Sequence, residues 1–449
     1  MSAPILPPEL NRVHLSETRA FLRTIPDSTV HVVVTSPPYW SLRDYQAEGQ
    51  IGLERTWDEH LANLMEVFAE VWRVLRPDGT LWLNYGDAWA QRGKRPQPIT
   101  QDEQAGNDRR AYERNHWTQA FAGRPGWARA TGTADGTRWK AGDQMLLPSR
   151  LAIALCDWGW WVRSENFWAK LNPSPMPDRG RPTYGHEHVY QLAKCANPYY
   201  DIEAVRVAHA TQEKRRERIV YQHRIRSKAK SEETSTFRLP HPDGRNLWSY
   251  WLMACRACPE VHTATFPEEL PETCIMASTS EHGACAVCGA PYKRIRKPTE
   301  EYAKRLGQSF HDHENDLVHG MHGCPRAFTG QKYETLGWEP SCSCWGSRPI
   351  APQPDDAGDY AVPEVEIYEA KLEEWRSQVA GAQRVPCLVL DPFGGSGTTA
   401  AVAERLGRSH LSCDINPDYV KMANEWVQAT RLGSTVAEHR QFDGLTLFD

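Results

Sequence analysis

The sequence predicts an α/β fold, a doubly wound and mostly parallel sheet, and three features carry that expectation. Apolar runs such as "VHVVV" (30–34) show no alternation, as befits strands covered on both faces. Between them lie stretches with apolar residues three and four apart, such as "HLANLMEVFAEVWRVL", which stops at Pro77-Asp78-Gly79. Parallel strands need crossovers of this kind. Finally, from Cys387 to Val420 the chain reads as a strand, a glycine-rich turn, a helix closed by Gly407 and a second short strand, one βαβ unit.

With 449 residues there is room for one large domain with insertions, or for two to three domains. The formal charge of −5 does not announce a nucleic-acid partner, so any basic surface must be local. The opening "MSAPILPPELNRVHLSETRAF" has no basic stretch followed by an apolar one, and no apolar run approaches roughly 18 residues, so neither a secretory leader nor a membrane span is expected. A cytoplasmic location follows as the expectation. In such a reducing compartment the twelve cysteines read as buried thiols or metal ligands rather than disulfides.

Taken in order, residues 1–91 give a helix in "ETRAFLRTI", a turn at Pro26-Asp27, the strand "VHVVV", the long helix and the strand "TLWLNYGDAW". Periodicity then stops. Residues 92–145 are rich in Gly, Arg and Pro, with Trp117, Trp127 and Trp139 scattered among them, and are too long for an idle connector. The expectation is a flexible basic insert, either disordered or ordering on nucleic acid. Regular patterning returns in 146–201 with a helix and two strands, "PSRLAIALCDWGWWVRSENFWAKLNP" and "HEHVYQLAKC". Residues 202–255 are polar and locally basic, and carry Lys214, Arg215, Arg216, Arg218, Arg224 and Arg226. That pattern reads either as a solvated helix face or as a surface for phosphates. A short block, 256–280, precedes a cysteine-rich region, 281–350. An acidic linker with a helix in "VEIYEAKLEEWRSQVAG" fills 351–384, and 385–449 holds the βαβ unit.

Two loops carry the chemistry. In "TSPPYW" (35–40), Pro37 and Pro38 fix two φ angles and remove two backbone donors, so nearby carbonyls remain as acceptors in set positions. Ser36 adds a hydroxyl, Tyr39 a flat ring, and Trp40 a neighbouring one. Such a loop can receive an exocyclic amino group on an aromatic ring: acceptors for its two N–H bonds and a face to stack on. Its stiffness keeps the acceptors in place when the ring is absent.

In "DPFGGSGT" (391–398), Gly394, Gly395 and Gly397 let backbone approach a ligand closely, and Asp414 ends the next strand where ribose hydroxyls would lie. The spacing is not that of a dinucleotide fingerprint, and no Gly-Lys-Ser/Thr follows. An adenosine ligand without a pyrophosphate fits better, and S-adenosylmethionine is the candidate. Ligands of open α/β sheets sit beyond the carboxyl ends of the strands, so the two loops should face one another if "VHVVV" and "CLVL" are neighbours.

With these loops on view, "TSPPYW" and "DPFGGSGTT" resemble the amino-directed DNA methyltransferases, in the order of their permuted β group: catalytic loop first, cofactor loop last. "RVLRPDGTLWLNYGD", "GWWVRSENFWAKLNPSP", "RPTYGHEHVYQLAK" and "HTATFPEELPETCI" are similar to the blocks between. The resemblance implies a circularly permuted, Rossmann-like methyltransferase fold with 1–91 as the catalytic half, 146–201 as its continuation, 202–255 for target recognition, 256–280 as a cofactor-pocket block and 385–449 as the cofactor half. It implies Ser36, Pro37, Pro38 and Tyr39 as the catalytic loop. Asp391, Phe393, Gly395 and Gly397, flanked by Pro392, Gly394 and Thr398, would hold the cofactor, with Asp414 on its ribose and His262, Thr265 and Phe266 completing the pocket. It also implies double-stranded DNA as partner, a flipped target base, phosphate or base contacts from the basic run beginning at Lys214, and a homodimer as in many β-group relatives. Serine at position 36 resembles the N4-cytosine subgroup, with N6-adenine as the alternative. Methylation of RNA and an inactive DNA-binding homologue are further readings. The sequence departs from the pattern at "LSETRA", which lacks Gly-Asp and leaves Glu17 without a role, and at Phe266-Pro267, where many members have Lys-Pro.

The last expectation is a metal. Cys285-x-x-Cys288-Gly is a knuckle half-site, and Cys342 and Cys344 supply the thiols to complete a structural zinc site of four sulfurs; buried free thiols are the alternative. Cys255 and Cys258 have no matching half-site.

Overall fold

The computed structural model describes residues 9–45, 47–90, 139, 142–173, 180–207, 245–255, 266–300, 333–350 and 362–434. Its strands are β1 (Arg12–Leu15), β2 (Val30–Thr35), β3 (Leu75–Tyr85), β4 (Trp161–Lys170), β5 (His186–Ala193), β6 (Tyr250–Met253), β7 (Ala284–Cys285), β8 (Tyr292–Pro298), β9 (Tyr333–Pro340), β10 (Arg384–Val385), β11 (Leu388–Asp391) and β12 (Ser409–Asp414). Its helices are α1 (Thr18–Leu22), α2 (Trp57–Val74), α3 (Leu147–Trp158), α4 (Glu269–Ser278), α5 (Val362–Val379), α6 (Thr398–Arg405) and α7 (Pro417–Arg431). The chain forms two compact units. None of the described helices is long and apolar enough to cross a membrane.

The first unit comprises Met1–Tyr200, Trp248–Pro291 and Gln383–Asp449. Its sheet has the order β1-β12-β11-β2-β3-β5-β4-β6. Five of its seven strand pairs are parallel; only β5 runs against its neighbours β3 and β4. Every residue of β2 is buried, which explains its continuous apolar run. Side-chain alternation along β3 sorts the two faces: Leu81, Leu83 and Tyr85 join the core packed by α1, α2 and α3, while Trp82 hydrogen-bonds Ser278 of α4. The sheet is thus covered on both sides, in the doubly wound manner expected.

Chain direction fixes where a ligand can sit. From β2 the chain crosses through α2 to β3 on one side; from β11 it crosses through α6 to β12 on the other. Because both crossovers join parallel strands, opposite directions place α2 and α6 on opposite faces. The carboxyl ends of β2 and β11 therefore flank the switch point of the sheet. Val32 pairs with Val389 and Val33 with Leu390, so these two strands are direct neighbours.

Helix α2 has a complete start signal: Thr56 accepts from the Glu59 N–H, and Glu59 reaches back to the Thr56 N–H. The sequence placed a stop at Pro77-Asp78-Gly79, with the strand after it. The helix in fact ends at Val74, and extended backbone runs straight through that tripeptide as the start of β3. A residue preceding proline is driven out of the helical region, which sets Arg76 extended. Trp139, grouped with the flexible insert by its neighbours, is buried in the core: its ring lies 6.1 Å from that of Trp40, with Arg150 5.3 Å above it.

At the amino end of the central strands the knuckle after β7 is docked. Leu388 N–H donates to His31 Nδ1 (3.0 Å), so the other ring nitrogen carries the proton and donates to the Gly289 carbonyl (2.8 Å). Arg76 donates to the Cys288 carbonyl (2.7 Å) and is steadied by Asp78.

The second unit comprises Asp201–Leu247 and Tyr292–Ala382. Its strands β8 and β9 are antiparallel and pair Tyr292 with Pro340. Arg294 lies over Trp338 (4.3 Å) and pairs with Asp201, while Arg296 pairs with Glu203. Leu372, Trp375 and Val379 of α5 make a small core with Trp345 and Tyr368.

Burial holds His31 at a pKa of about 4, so its ring is neutral in the fold but charges more readily in the unfolded chain. Stability from this group is full above about pH 6.5 and is lost as pH falls toward about 4. Replacing His31 with Gln removes the titration. In urea melts at stepped pH, the advantage of the parent over His31→Gln should shrink by roughly 3 kcal/mol between pH 7 and 4; a constant gap would contradict a buried neutral ring.

Candidate active site

The two loops singled out by sequence meet at the switch point. Thr35, the last residue of β2, donates its hydroxyl to Asp391 Oδ1 (2.7 Å), the last residue of β11. The Phe393 N–H donates to the same oxygen (3.1 Å). Asp391 is almost wholly buried, and burial lifts its pKa to about 6 against the lowering effect of these donors. Thr399, in the first turn of α6, donates to the Val34 carbonyl (3.3 Å), a further tie across the same strands.

The glycine loop closes on itself and on β12. Gly394 N–H donates to the Cys413 carbonyl, and Gly397 N–H to the Gly394 carbonyl, both at 2.8 Å. A Cβ on Gly394 would sit 2.2 Å from Ser412 Oγ; one on Gly397, at φ +86°, would sit 2.6 Å from Ala423 Cβ. Both glycines are therefore required by close approach. Gly395 N–H donates to Asp414 Oδ2 (2.9 Å) and Asn416 N–H to Oδ1 (2.8 Å). Each oxygen keeps a further lone pair, as a ligand hydroxyl would need. Burial raises the pKa of Asp414. Thr398 is buried with its hydroxyl 3.3 Å from that of Ser396, and the Pro392 carbonyl accepts from Thr18 (3.0 Å).

Ser36, Pro38 and Tyr39 are half-buried and Pro37 is buried. Ser36 Oγ donates to the Tyr39 hydroxyl (3.2 Å), which itself donates to Glu187 Oε2 (2.6 Å). Asn84 Nδ2 donates to the same carboxylate (2.8 Å) and to Tyr39 (3.1 Å), and Lys170 binds its other oxygen (2.6 Å). Burial alone would raise the Glu187 pKa; the Lys170 ammonium and these hydrogen bonds outweigh it and hold the group ionised. The Tyr39 ring packs 4.7 Å from Tyr85, and a Cβ on Gly86 would strike it at 2.6 Å.

Behind the loop, Gly52 carries φ +115° and accepts from Ser41 N–H. Gly52 N–H donates to Glu54, which also takes His60 Nδ1 (2.8 Å) and Asn63 (2.8 Å). Burial favours a neutral Glu54, but His60 holds its pKa below the usual value. His60 Nε2 meets the Tyr85 hydroxyl (2.9 Å), which accepts the Trp40 N–H (3.2 Å).

Trp40 is a correction. Its ring is buried against Trp57 and Trp139, and its Nε1 donates to the Glu54 carbonyl (3.0 Å). It supports the loop from within and does not face a base. Phe266 is half-buried just before α4, whereas His262 and Thr265 lie outside the described residues, as do Lys214, Arg215, Arg216, Arg218, Arg224 and Arg226. Glu17, left without a role, caps α1 and pairs with Arg19. Sequence reasoning missed Thr35, Asn84, Lys170 and Glu187. The last two stand in the quoted stretches "FWAKLNPSP" and "GHEHVYQ", yet nothing in their spacing links them to the loop.

Cys285 is buried and Cys288 exposed; just after them Gly289, at φ +71°, returns its N–H to the Cys285 carbonyl (2.8 Å). In the second unit Cys342 is half-buried and Cys344 exposed.

Comparison with known proteins follows the same outline. A family described as DNA methylase, of the N6/N4 methyltransferase type, matches residues 30–286 and 387–425. The Type II methyltransferase M.Cfr9I of Citrobacter freundii is 36% identical over 275 residues, 61% of this chain and 75% of its own. M.XycI of Xanthomonas campestris pv. cyanopsidis is 36% identical over 260 residues, 58% and 69% of the two chains. M.SfiI of Streptomyces fimbriatus is 26% identical over 427 residues, 91% and 89%. All three are named Type II methyltransferases.

The glycine loop offers a stability test. Gly397→Ala combines positive φ with a clash against Ala423 and should cost about 2 kcal/mol or more. Gly407→Ala has positive φ but open space around it, and should cost about 1 kcal/mol. Urea unfolding of both variants checks the order.

Proposed function

This chain belongs to the N6/N4 family of DNA methyltransferases, and we propose that it moves a methyl group from S-adenosylmethionine to N4 of a cytosine flipped out of double-stranded DNA, as the modifying member of a restriction–modification system. One observation carries the reading: the acceptor-rich "TSPPY" loop and the glycine loop stand at the carboxyl ends of adjacent parallel strands, joined by Thr35 and Asp391.

The residues fit that cofactor. Asp414 presents lone pairs suited to two ribose hydroxyls. When bound, S-adenosylmethionine supplies an electrophilic methyl on sulfur. Ser36 Oγ and the Pro37 carbonyl accept the two hydrogens of the target amino group. That draws the nitrogen toward tetrahedral geometry and frees its lone pair from the ring, so that it can attack in line. Direct attack requires no nucleophile from the protein, and the cysteines that flank the cofactor strands, Cys387 and Cys413, are buried with pKa values raised by burial. A base must leave the duplex to reach such a loop. Serine at position 36 favours cytosine.

The Cys285-x-x-Cys288 knuckle is the half-site of a structural zinc in tetrahedral geometry, for which Cys342 and Cys344 supply the other two thiolates; His31 and Arg76 brace the knuckle backbone. Target recognition falls to 202–255.

Incubation with labelled S-adenosylmethionine and double-stranded DNA, followed by nucleoside analysis, should yield N4-methylcytosine. N6-methyladenine would reverse the base assignment, and unlabelled DNA would defeat the reading. Ser36→Ala should lower kcat about a hundredfold while cofactor affinity is retained. Metal analysis should find one zinc per chain, and chelation should lower the melting temperature.

A further inference from the structure

The directions of the hydrogen bonds around Ser36 form a chain with one consistent polarity. A carboxylate only accepts, so Glu187, ionised by Lys170, must take the Tyr39 hydroxyl proton at 2.6 Å. The phenol oxygen, with its own proton committed, can only accept from Ser36 at 3.2 Å. Ser36 therefore has its proton turned away; Asn84 Nδ2 approaches its oxygen at 3.5 Å, and a further lone pair is left over. From this the geometry points to Glu187, with Lys170, as a positioning residue that acts through Tyr39 to make Ser36 an obligate acceptor for the target amino group. The inference rests on the reading that Ser36 accepts an amino N–H, and names what enforces it.

The strands explain how the group arrives there. On β5, Glu187 lies diagonally from Asn84 of β3, whose partner is Val189, and from Lys170 of β4, whose neighbour Trp168 pairs with Glu187. Three strands thus converge on one carboxylate beside the loop. Asn84 is fixed by the same acceptor, which draws its amide nitrogen inward. A free serine hydroxyl has a rotor that can donate as well as accept. Donation toward an amino nitrogen would occupy the lone pair that has to attack carbon. The Glu187–Tyr39 pair removes that option before the base enters.

Two variants isolate the effect. Tyr39→Phe keeps the ring for stacking and deletes the hydroxyl that accepts the Ser36 proton and links it to Glu187. Glu187→Gln keeps the shape and lets an N–H face the phenol, so that the chain can reverse. Each should lower kcat about tenfold, the worth of one buried hydrogen bond, with KM for DNA and cofactor affinity within about twofold of the parent. Combined with Ser36→Ala, neither should lower single-turnover methylation any further, because Ser36 is the group through which both act. Equal losses in the presence and absence of Ser36, or a parental kcat in Tyr39→Phe, would overturn the inference. Should Glu187→Gln fail to fold by circular dichroism, Tyr39→Phe decides alone. Absence of label in DNA with the parent enzyme would instead remove the functional reading, and this inference with it. Label in DNA with unaffected variants removes only the inference.

Discussion

The pairing of β2 with β11 is the constraint on which the site depends. These strands are far apart in sequence, and their register puts Thr35 within 2.7 Å of Asp391. Everything on either side inherits its position from that contact. The proline loop continues directly from Thr35, and the glycine loop directly from Asp391. The hydrogen bond is buried and involves a carboxyl, the kind worth roughly 1.5–3 kcal/mol. It also aligns two loops that would otherwise be set independently.

Rigidity of the proline loop comes only partly from its prolines. A second layer of buried polar groups lies beneath it: Glu54, His60 and Tyr85 pass hydrogen bonds from Gly52 to the Trp40 backbone. Trp57 and Trp139 close around Trp40 in the same region. Such a network costs stability if any member is left unpaired, and a fully paired one holds a single geometry. The loop is thus braced from beneath by this network and from its open side by Glu187.

The same strands carry a different load at their other ends. His31 and Arg76 are the second residues of β2 and β3, and they donate to the Gly289 and Cys288 carbonyls of the knuckle. Four residues of β2, Val32 to Thr35, therefore separate a structural contact from a reactive loop. This division is typical of open α/β sheets, where ligands gather at carboxyl ends and the opposite edge is free for packing.

Local physics made much of this legible in the sequence. Apolar periodicity marked the strands and helices, since burial on one or both faces leaves a repeat of two, of 3.6 or none. The two loops were visible because proline and glycine act on their own backbone. The stop at Pro77-Asp78-Gly79 was misplaced by a few residues, because the signal says only that a helix cannot continue. Trp40 and Trp139 show the limit of composition: an aromatic in a polar stretch carries no mark of what will surround it. Glu187, Lys170 and Asn84 were beyond reach for a stronger reason. Their meeting depends on β5 entering antiparallel between β3 and β4, a register set by contacts across about a hundred residues of chain. Sequence alone determined which segments fold and which loops can bind. The tertiary structure decided which side chains stand beside those loops, because hydrogen bonds and packing between distant strands leave no local pattern.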